Sequence, residues 1–174
     1  MDKKNIRYQA LESRANIKNR TAKDKIITQR AYELAKSYEI IGIYYAFRDE
    51  VATQTLIQQL LDLGKVVACP RIESGQMHFY KVESLDDFSV GHFNVPEPKG
   101  DVLIRPEEFD LMFIPMLAFN DKFYRVGYGK GYYDRYLKKM HGLKVGLAYA
   151  DQFVLDAFED EYDIACDFIL TEKR

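Results

Sequence analysis

Apolar positions recur at helical spacing through the first 38 residues, with Ile6, Ala10 and Ile17 on one stripe and Ile26, Ile27, Ala31, Leu34 and Ala35 on another. No Gly or Pro interrupts them. Thr21, with Asp24 three residues on, has the form of an N-cap and predicts that two helices divide there. The pattern then changes period. IIGIYYAF (40–47) is a continuous apolar strand, FRDEVAT a loop, TLIQQLLDLG a helix closed by Gly64, and KVVACP (65–70) a second buried strand. Strand, helix, strand is a βαβ unit, which requires parallel pairing. A polar middle follows, with a short strand MHFYKV (77–82) and a segment HFNVPEPKG (92–100) whose two prolines predict an irregular loop. LMFIPM, a helix YYDRYLKKM, a strand LKVGLAYA and a last strand near DFILT complete the chain.

The expected fold is therefore α/β: a three-layer, open, mainly parallel sheet with helices on both faces. One domain spanning residues 1–174 is expected, with N-terminal helices over 3–38 packed on the α/β core. Ligands of such sheets bind at the carboxyl ends of strands, so the loop after Tyr45, carrying Arg48, Asp49 and Glu50, is a candidate site before any motif is considered.

Composition narrows the function classes. With 47% hydrophobic and 30% charged residues the chain is neither disordered nor fibrous. The N-terminus is charged throughout and no apolar stretch is long enough to span a bilayer, so a cytoplasmic location with no membrane partner is expected. Cys69 and Cys166 lie in apolar runs and read as core residues, with none of His78, His92 or His141 beside them in sequence. Charge is lopsided. Residues 1–30 carry nine Lys/Arg against three Asp/Glu, and residues 150–174 carry eight Asp/Glu against two Lys/Arg. A basic helix can face phosphates and clustered carboxylates can hold a hard cation, although solvated helix faces give the same counts.

The most informative stretch is RVGYGKGYYDR (125–135), between a strand and a helix. Gly127, Gly129 and Gly131 fall within five residues. Glycines let the backbone approach a ligand closely, and Arg125 and Lys130 add charge suited to nucleotide phosphates. Asp134 is placed to carry Mg²⁺ bridging those phosphates. The spacing matches neither GxxxxGK[ST] nor a dinucleotide fingerprint, and a tight aromatic-filled turn remains the plain alternative.

At these residues the chain resembles the 5-formyltetrahydrofolate cyclo-ligase family, also called methenyltetrahydrofolate synthetase, whose signature is close to R-[LMV]-G-x-G-x-G-Y-Y-D. The resemblance extends to a K-x-x-x-R start at Lys3 and Arg7, an acidic loop ending at Glu50, the NVPEP segment, PMLAF (115–119), and EYDIACDFILTE (161–172), where Asp163 precedes the last strand. Two features depart from it. The turn FNDKFY (119–124) lacks a glycine, and no Trp stands near Phe93.

What the resemblance implies is ATP- and Mg²⁺-dependent cyclisation of 5-formyltetrahydrofolate to 5,10-methenyltetrahydrofolate, releasing ADP and phosphate. Carried over position by position, Lys3 and Arg7 contact ATP phosphates together with Arg125, Gly127, Tyr128, Gly129, Lys130, Gly131, Tyr132 and Tyr133. Arg125 and Lys130 act catalytically, Asp134 and Asp163 bind Mg²⁺, and Tyr45, Glu50, Tyr128 and Tyr132 meet the folate. Phe93 and Pro96 wall the pocket. Arg125→Ala and Lys130→Ala are expected to change kinetics with little loss of stability, and a monomer is expected. Two rival readings remain at this level: a single-stranded nucleic-acid module, disfavoured by a sequence pI near 6.0, and a sugar-phosphate or acyl-group enzyme on a similar fold, for which Glu50 lacks a second catalytic group.

Overall fold

The computed structural model describes residues 1–173. It opens with α1 (Lys3–Ala15) and α2 (Arg20–Ala35). The break between them falls at residues 16–19 rather than at Thr21. Asn19 holds the capping position of α2 in the left-handed conformation, at φ 54°, a conformation in which Asn is enriched. Thr21 lies within the first turn, and the Asp24 carboxylate accepts instead from the Tyr149 hydroxyl (2.5 Å) and the Ala52 amide (3.3 Å).

Next come β1 (Ile40–Ile43), α3 (Gln54–Asp62), β2 (Val66–Glu73), β3 (Gln76–Val82), β4 (Phe88–Val90), β5 (Pro96–Pro98) and β6 (Leu103–Ile104). The chain continues through β7 (Leu111–Ile114), β8 (Ala118–Phe119), β9 (Arg125–Val126), α4 (Tyr132–Leu137), β10 (Leu143–Leu147) and β11 (Phe168–Leu170). Among the described residues the central sheet has seven strands in the order β11, β10, β7, β1, β2, β3, β6. The first five are mutually parallel, and β3 and β6 add an antiparallel edge. From β1 the chain steps to β2 on one side and returns to β7 on the other, so the winding direction reverses beside β1. Crevices at the carboxyl ends of strands form at such a reversal.

Strand alternation distributes the core to two faces. Leu111 and Phe113 join Ile27, Ala31, Leu56, Ile57 and Leu60 of α2 and α3, whereas Met112 and Ile114 join Tyr136, Leu137 and Met140. Helices therefore cover both faces of a mainly parallel sheet. No helix among the described residues is long and apolar enough to cross a membrane.

Proline had two outcomes that its usual reading does not foresee. The strand that begins KVVACP runs on through Pro70 to Glu73, because β1 pairs with β2 only as far as Ala68 and leaves the edge beyond it free. Pro96 and Pro98, read as loop residues, form β5 and pair with Val90 and Phe88. The hydrogen bonds flanking that ladder run from Gly91 N to Val95 O (2.9 Å) and from Lys99 N to Asp87 O (2.7 Å). In an antiparallel pair such residues alternate with non-hydrogen-bonded ones, so both prolines occupy positions from which no N–H is required.

Candidate active site

A cleft of about 940 Å³ opens at the carboxyl ends of β1, β2 and β7, bounded there by Tyr44, Tyr45, Pro70, Ile72, Pro115 and Met116. Every residue assigned a site role from the sequence lines it, from Lys3 and Arg7 through Tyr45 and Glu50 to the glycine loop, Asp134 and Asp163. These residues span 160 positions of sequence, and the fold brings them to one place because α1 and the segment before β11 both lie against the loop.

Lys3 opens α1, and its ammonium contacts Asp163 at 2.5 Å and Asp160 at 3.0 Å. Partial burial works against that charge, but the hydrogen bonds to the two aspartates outweigh it and hold the Lys3 pKa above its ordinary value. One turn later Arg7 donates from Nε to the Gly127 carbonyl at 2.7 Å. Gly129, at φ 98°, faces the same guanidinium, and a Cβ there would lie 3.2 Å from it. Glycine permits both that backbone conformation and that approach.

Arg125 is 8% exposed. Its guanidinium donates to the Ile164 carbonyl (2.7 Å) and to Asp134 Oδ1 (2.8 Å), and the Ile164 amide donates to the same oxygen (3.1 Å). Asp134 stands in the first turn of α4, which has only six residues and contributes little dipole. Lys130 is exposed, 5.9 Å from the Phe93 ring. Phe93 is itself 67% exposed and sits at φ 55°, followed by Asn94 at φ 61°.

Across the cleft, Tyr45 packs on Phe88 with ring centroids 4.5 Å apart. Glu50 accepts from the Phe47 amide at 3.1 Å. Burial pushes its carboxyl to about 7, against the downward pull of that hydrogen bond and of the Arg14 charge. Both cysteines are buried, which raises their thiol pKa values, that of Cys166 to about 11, so neither supplies a ready thiolate.

Arg14 and Glu97 were not singled out from the sequence. Arg14 is 2% exposed, donates to the Tyr128 hydroxyl (2.6 Å) and the Met116 carbonyl (3.3 Å), and leaves its Nε without a partner among the described residues. Its signal was visible: a cation continuing the Ile6, Ala10 stripe at the same four-residue spacing. Glu97, also buried, had no sequence signal beyond its place between two prolines.

No group of three or more His, Cys, Asp or Glu side chains is arranged for a metal among the described residues. Asp134 and Asp163 each keep one carboxylate oxygen, Oδ2 and Oδ1 respectively, free of hydrogen bonds among those residues. Two such oxygens fit a small hard cation that takes its remaining ligands from water and phosphate.

Comparison with known proteins gives the family. The model of the 5-formyltetrahydrofolate cyclo-ligase family matches residues 1–172. A 5-formyltetrahydrofolate cyclo-ligase of Mycoplasma genitalium is 30% identical, with 98% of each chain covered, and that of Mus musculus is 30% identical over 85% of this chain and 79% of its own. The solved structure of Aquifex aeolicus 5,10-methenyltetrahydrofolate synthetase superposes with a TM-score of 0.88 at 32% identity, covering 100% of this chain and 91% of that one. The match extends over the whole described fold as well as the loop, and the chain belongs to the 5-formyltetrahydrofolate cyclo-ligase family.

Proposed function

We propose that the cleft binds MgATP and 5-formyltetrahydrofolate side by side and cyclises the folate. The formyl oxygen attacks the γ-phosphorus and ADP departs. N10 then adds to the formyl carbon and loses its proton, and the C–O bond breaks with phosphate as leaving group, giving 5,10-methenyltetrahydrofolate. Hydroxide would leave poorly from that carbon, which is why ATP is consumed. Such chemistry asks the protein for positioning and for neutralisation of phosphate charge more than for a nucleophile.

One observation carries this reading: Lys3–Asp163 and Arg125–Asp134 are cation–carboxylate pairs facing one glycine loop. A nucleotide with its Mg²⁺ supplies the complementary pair, phosphate oxygens for the cations and a metal for the carboxylates. Binding then exchanges partners without stranding a charge, which a low-dielectric cleft would penalise. Lys3, Arg7, Arg125 and Lys130 are assigned to the phosphates, with backbone from Gly127 to Tyr133. Asp134 and Asp163 are the residues that would hold Mg²⁺, which would supply charge neutralisation across the transferring phosphoryl group. Tyr45, Glu50, Tyr128 and Tyr132 are assigned to the folate.

The test mixes protein, MgATP and 5-formyltetrahydrofolate and follows methenyl absorbance together with phosphate release. Both signals are expected, each requiring both substrates. Their absence under varied pH and Mg²⁺ concentration would sink the proposal.

A further inference from the structure

Glu97 is a carboxylate that the reaction scheme does not use. It sits at the centre of β5, is 8% exposed, and lines the cleft. Its Oε2 accepts from the Ile72 amide at 2.9 Å. That amide is available because β2 runs to Glu73 while its pairing with β1 ends at Ala68. Oε1 makes no hydrogen bond among the described residues, and no Lys, Arg or His among them lies within ion-pair distance of the carboxylate.

The neighbouring residue shows that this placement is built into the hairpin. A Cβ at Gly91 would stand 1.9 Å from Glu97 Oε1, 2.2 Å from its Cδ and 2.5 Å from its Cγ. Only a residue without a side chain lets the carboxylate lie across that position. A carboxylate taken this far out of water is costly unless donors replace the lost hydration. The protein supplies one donor, at Oε2, and leaves the other oxygen to whatever fills the cleft.

The chemistry of that occupant follows from the charge. Phosphate is repelled, and an N–H donor on an uncharged planar ring is attracted. Position selects which ring. Phe88, opposite Pro98 on the same hairpin, carries the contact to Tyr45, so the hairpin that holds Glu97 adjoins the Tyr45 segment. A reduced pterin offers more N–H donors than the single carboxylate of Glu50 can take: an exocyclic amino group and two ring N–H groups.

Resting on the reading that the cleft takes a reduced folate, we propose that Glu97 is a second substrate-binding carboxylate, its Oε1 accepting from the exocyclic amino group of the pterin. Gly91 is the residue that permits this placement, and the Ile72 amide fixes the carboxylate's direction.

The experiment compares 5-formyltetrahydrofolate with its 2-desamino counterpart in the wild type, Glu97→Gln, Glu97→Ala and Gly91→Ala, with the KM for ATP measured alongside. The wild type is expected to disfavour the desamino substrate about tenfold, the worth of one charge-assisted hydrogen bond. Glu97→Ala should raise the KM for the natural substrate by about the same factor and abolish the discrimination, with the KM for ATP unchanged within about twofold. Gly91→Ala, which displaces the carboxylate without deleting it, should behave alike. Glu97→Gln keeps an oxygen for the Ile72 amide and preserves the fold, but it turns an NH₂ donor toward the ligand and should lose discrimination too. If discrimination survives in Glu97→Gln or Gly91→Ala, or if the loss falls on ATP, the assignment is overturned while the functional reading stands. A wild type inactive on 5-formyltetrahydrofolate overturns both.

Discussion

On the wall formed by α1, the glycine loop and residues 156–164, the cations Lys3, Arg7 and Arg125 are all engaged by the protein's own oxygens. On the wall formed by residues 44–53 and the β4–β5 hairpin, the carboxylates of Glu50 and Glu97 are held by backbone amides, with no ion pair among the described residues. On the first wall Lys3 and Arg125 already hold carboxylates, so a ligand gains from these two only by exchanging partners. The second holds two carboxylates that meet only backbone amides and gains from any donor that arrives. In this reading the contrast sorts a charged metal–nucleotide from a neutral donor-rich ring. It can be tested one residue at a time.

Arg125→Ala should break the first wall most severely. The guanidinium ties Asp134 to the Ile164 carbonyl in a nearly buried position. Its loss is expected to lower kcat by about 10²–10³, typical of a deleted charge-stabilising donor. It should also cost about 2–4 kcal/mol of stability by stranding a partly buried carboxylate. The sequence suggested a kinetic effect alone; the burial of Arg125 adds the structural one. Urea unfolding beside steady-state kinetics separates the two, and an unfolding midpoint equal to the parent's would show that Arg125 serves the ligand only. Asp134→Asn is milder. It retains an oxygen for the Ile164 amide while losing charge, so the Mg²⁺ concentration for half-maximal rate should rise about tenfold or more. An unchanged Mg²⁺ titration removes Asp134 from the metal site.

Arg14 lies between the walls, bonded to Tyr128 of the loop and lowering the pKa of Glu50 by its charge. Arg14→Ala should cost about 3 kcal/mol from lost packing and the lost hydrogen bond to the Tyr128 hydroxyl, the Met116 carbonyl keeping its bond from Gln152 Nε2 (2.8 Å). Arg14→Met, which fills the volume and removes the unpartnered Nε, should cost under about 1.5 kcal/mol. If both variants lose the same amount, the guanidinium's bonds matter and its volume does not.

Glu50→Gln probes the second wall through pH. The folded-state value of about 7 lies above the ordinary 4.5. Between those values the folded chain holds a proton that the unfolded chain has released, so stability falls as pH rises through the window, by up to about 3 kcal/mol. Above it the loss is complete and flat. Glu50→Gln should remove this dependence, leaving the variant more stable than the parent near pH 8 and no more stable near pH 4. Parallel stability–pH curves would place Glu50 in a more hydrated setting.

Much of this architecture was legible because periodicity reports burial directly. The apolar run 40–47 holds β1 in its first four residues only, the run 65–70 opens β2, and the helix stopping at Gly64 is α3. The carboxyl-end rule led to the loop holding Glu50. What escaped was set by partners distant in sequence. Thr21 had the chemistry of a cap, but the chain turned at Asn19 and Asp24 was drawn to Tyr149. Pro96 and Pro98 entered a strand because Phe88 and Val90 placed no demand on their missing N–H groups. Ser74-Gly75 was a readable two-residue hairpin turn, both residues at positive φ, and it would have foretold the antiparallel edge. Glu97 acquires meaning only once β2 is seen to outrun β1, which no local pattern encodes.

Lys130→Ala has the smallest expected effect and gives the sharpest test of the contrast. Unlike Lys3 and Arg125, Lys130 has no ion-paired carboxylate among the described residues; its ammonium lies 5.9 Å from the Phe93 ring and is otherwise solvated. Removing it strands nothing, so stability should stay within about 0.5 kcal/mol of the parent. Its contribution is reserved for the phosphates, and an exposed charge acts on them through a screened field. The KM for ATP should therefore rise about five- to tenfold at low ionic strength, and the gap should narrow as salt approaches about 0.5 M. Lys3→Ala should keep most of its penalty at that salt, because its charge is partly buried against Asp163. If the two variants share one salt dependence, the ion-paired and solvated cations of this wall are equivalent, and the distinction between exchanged and freely supplied charge fails.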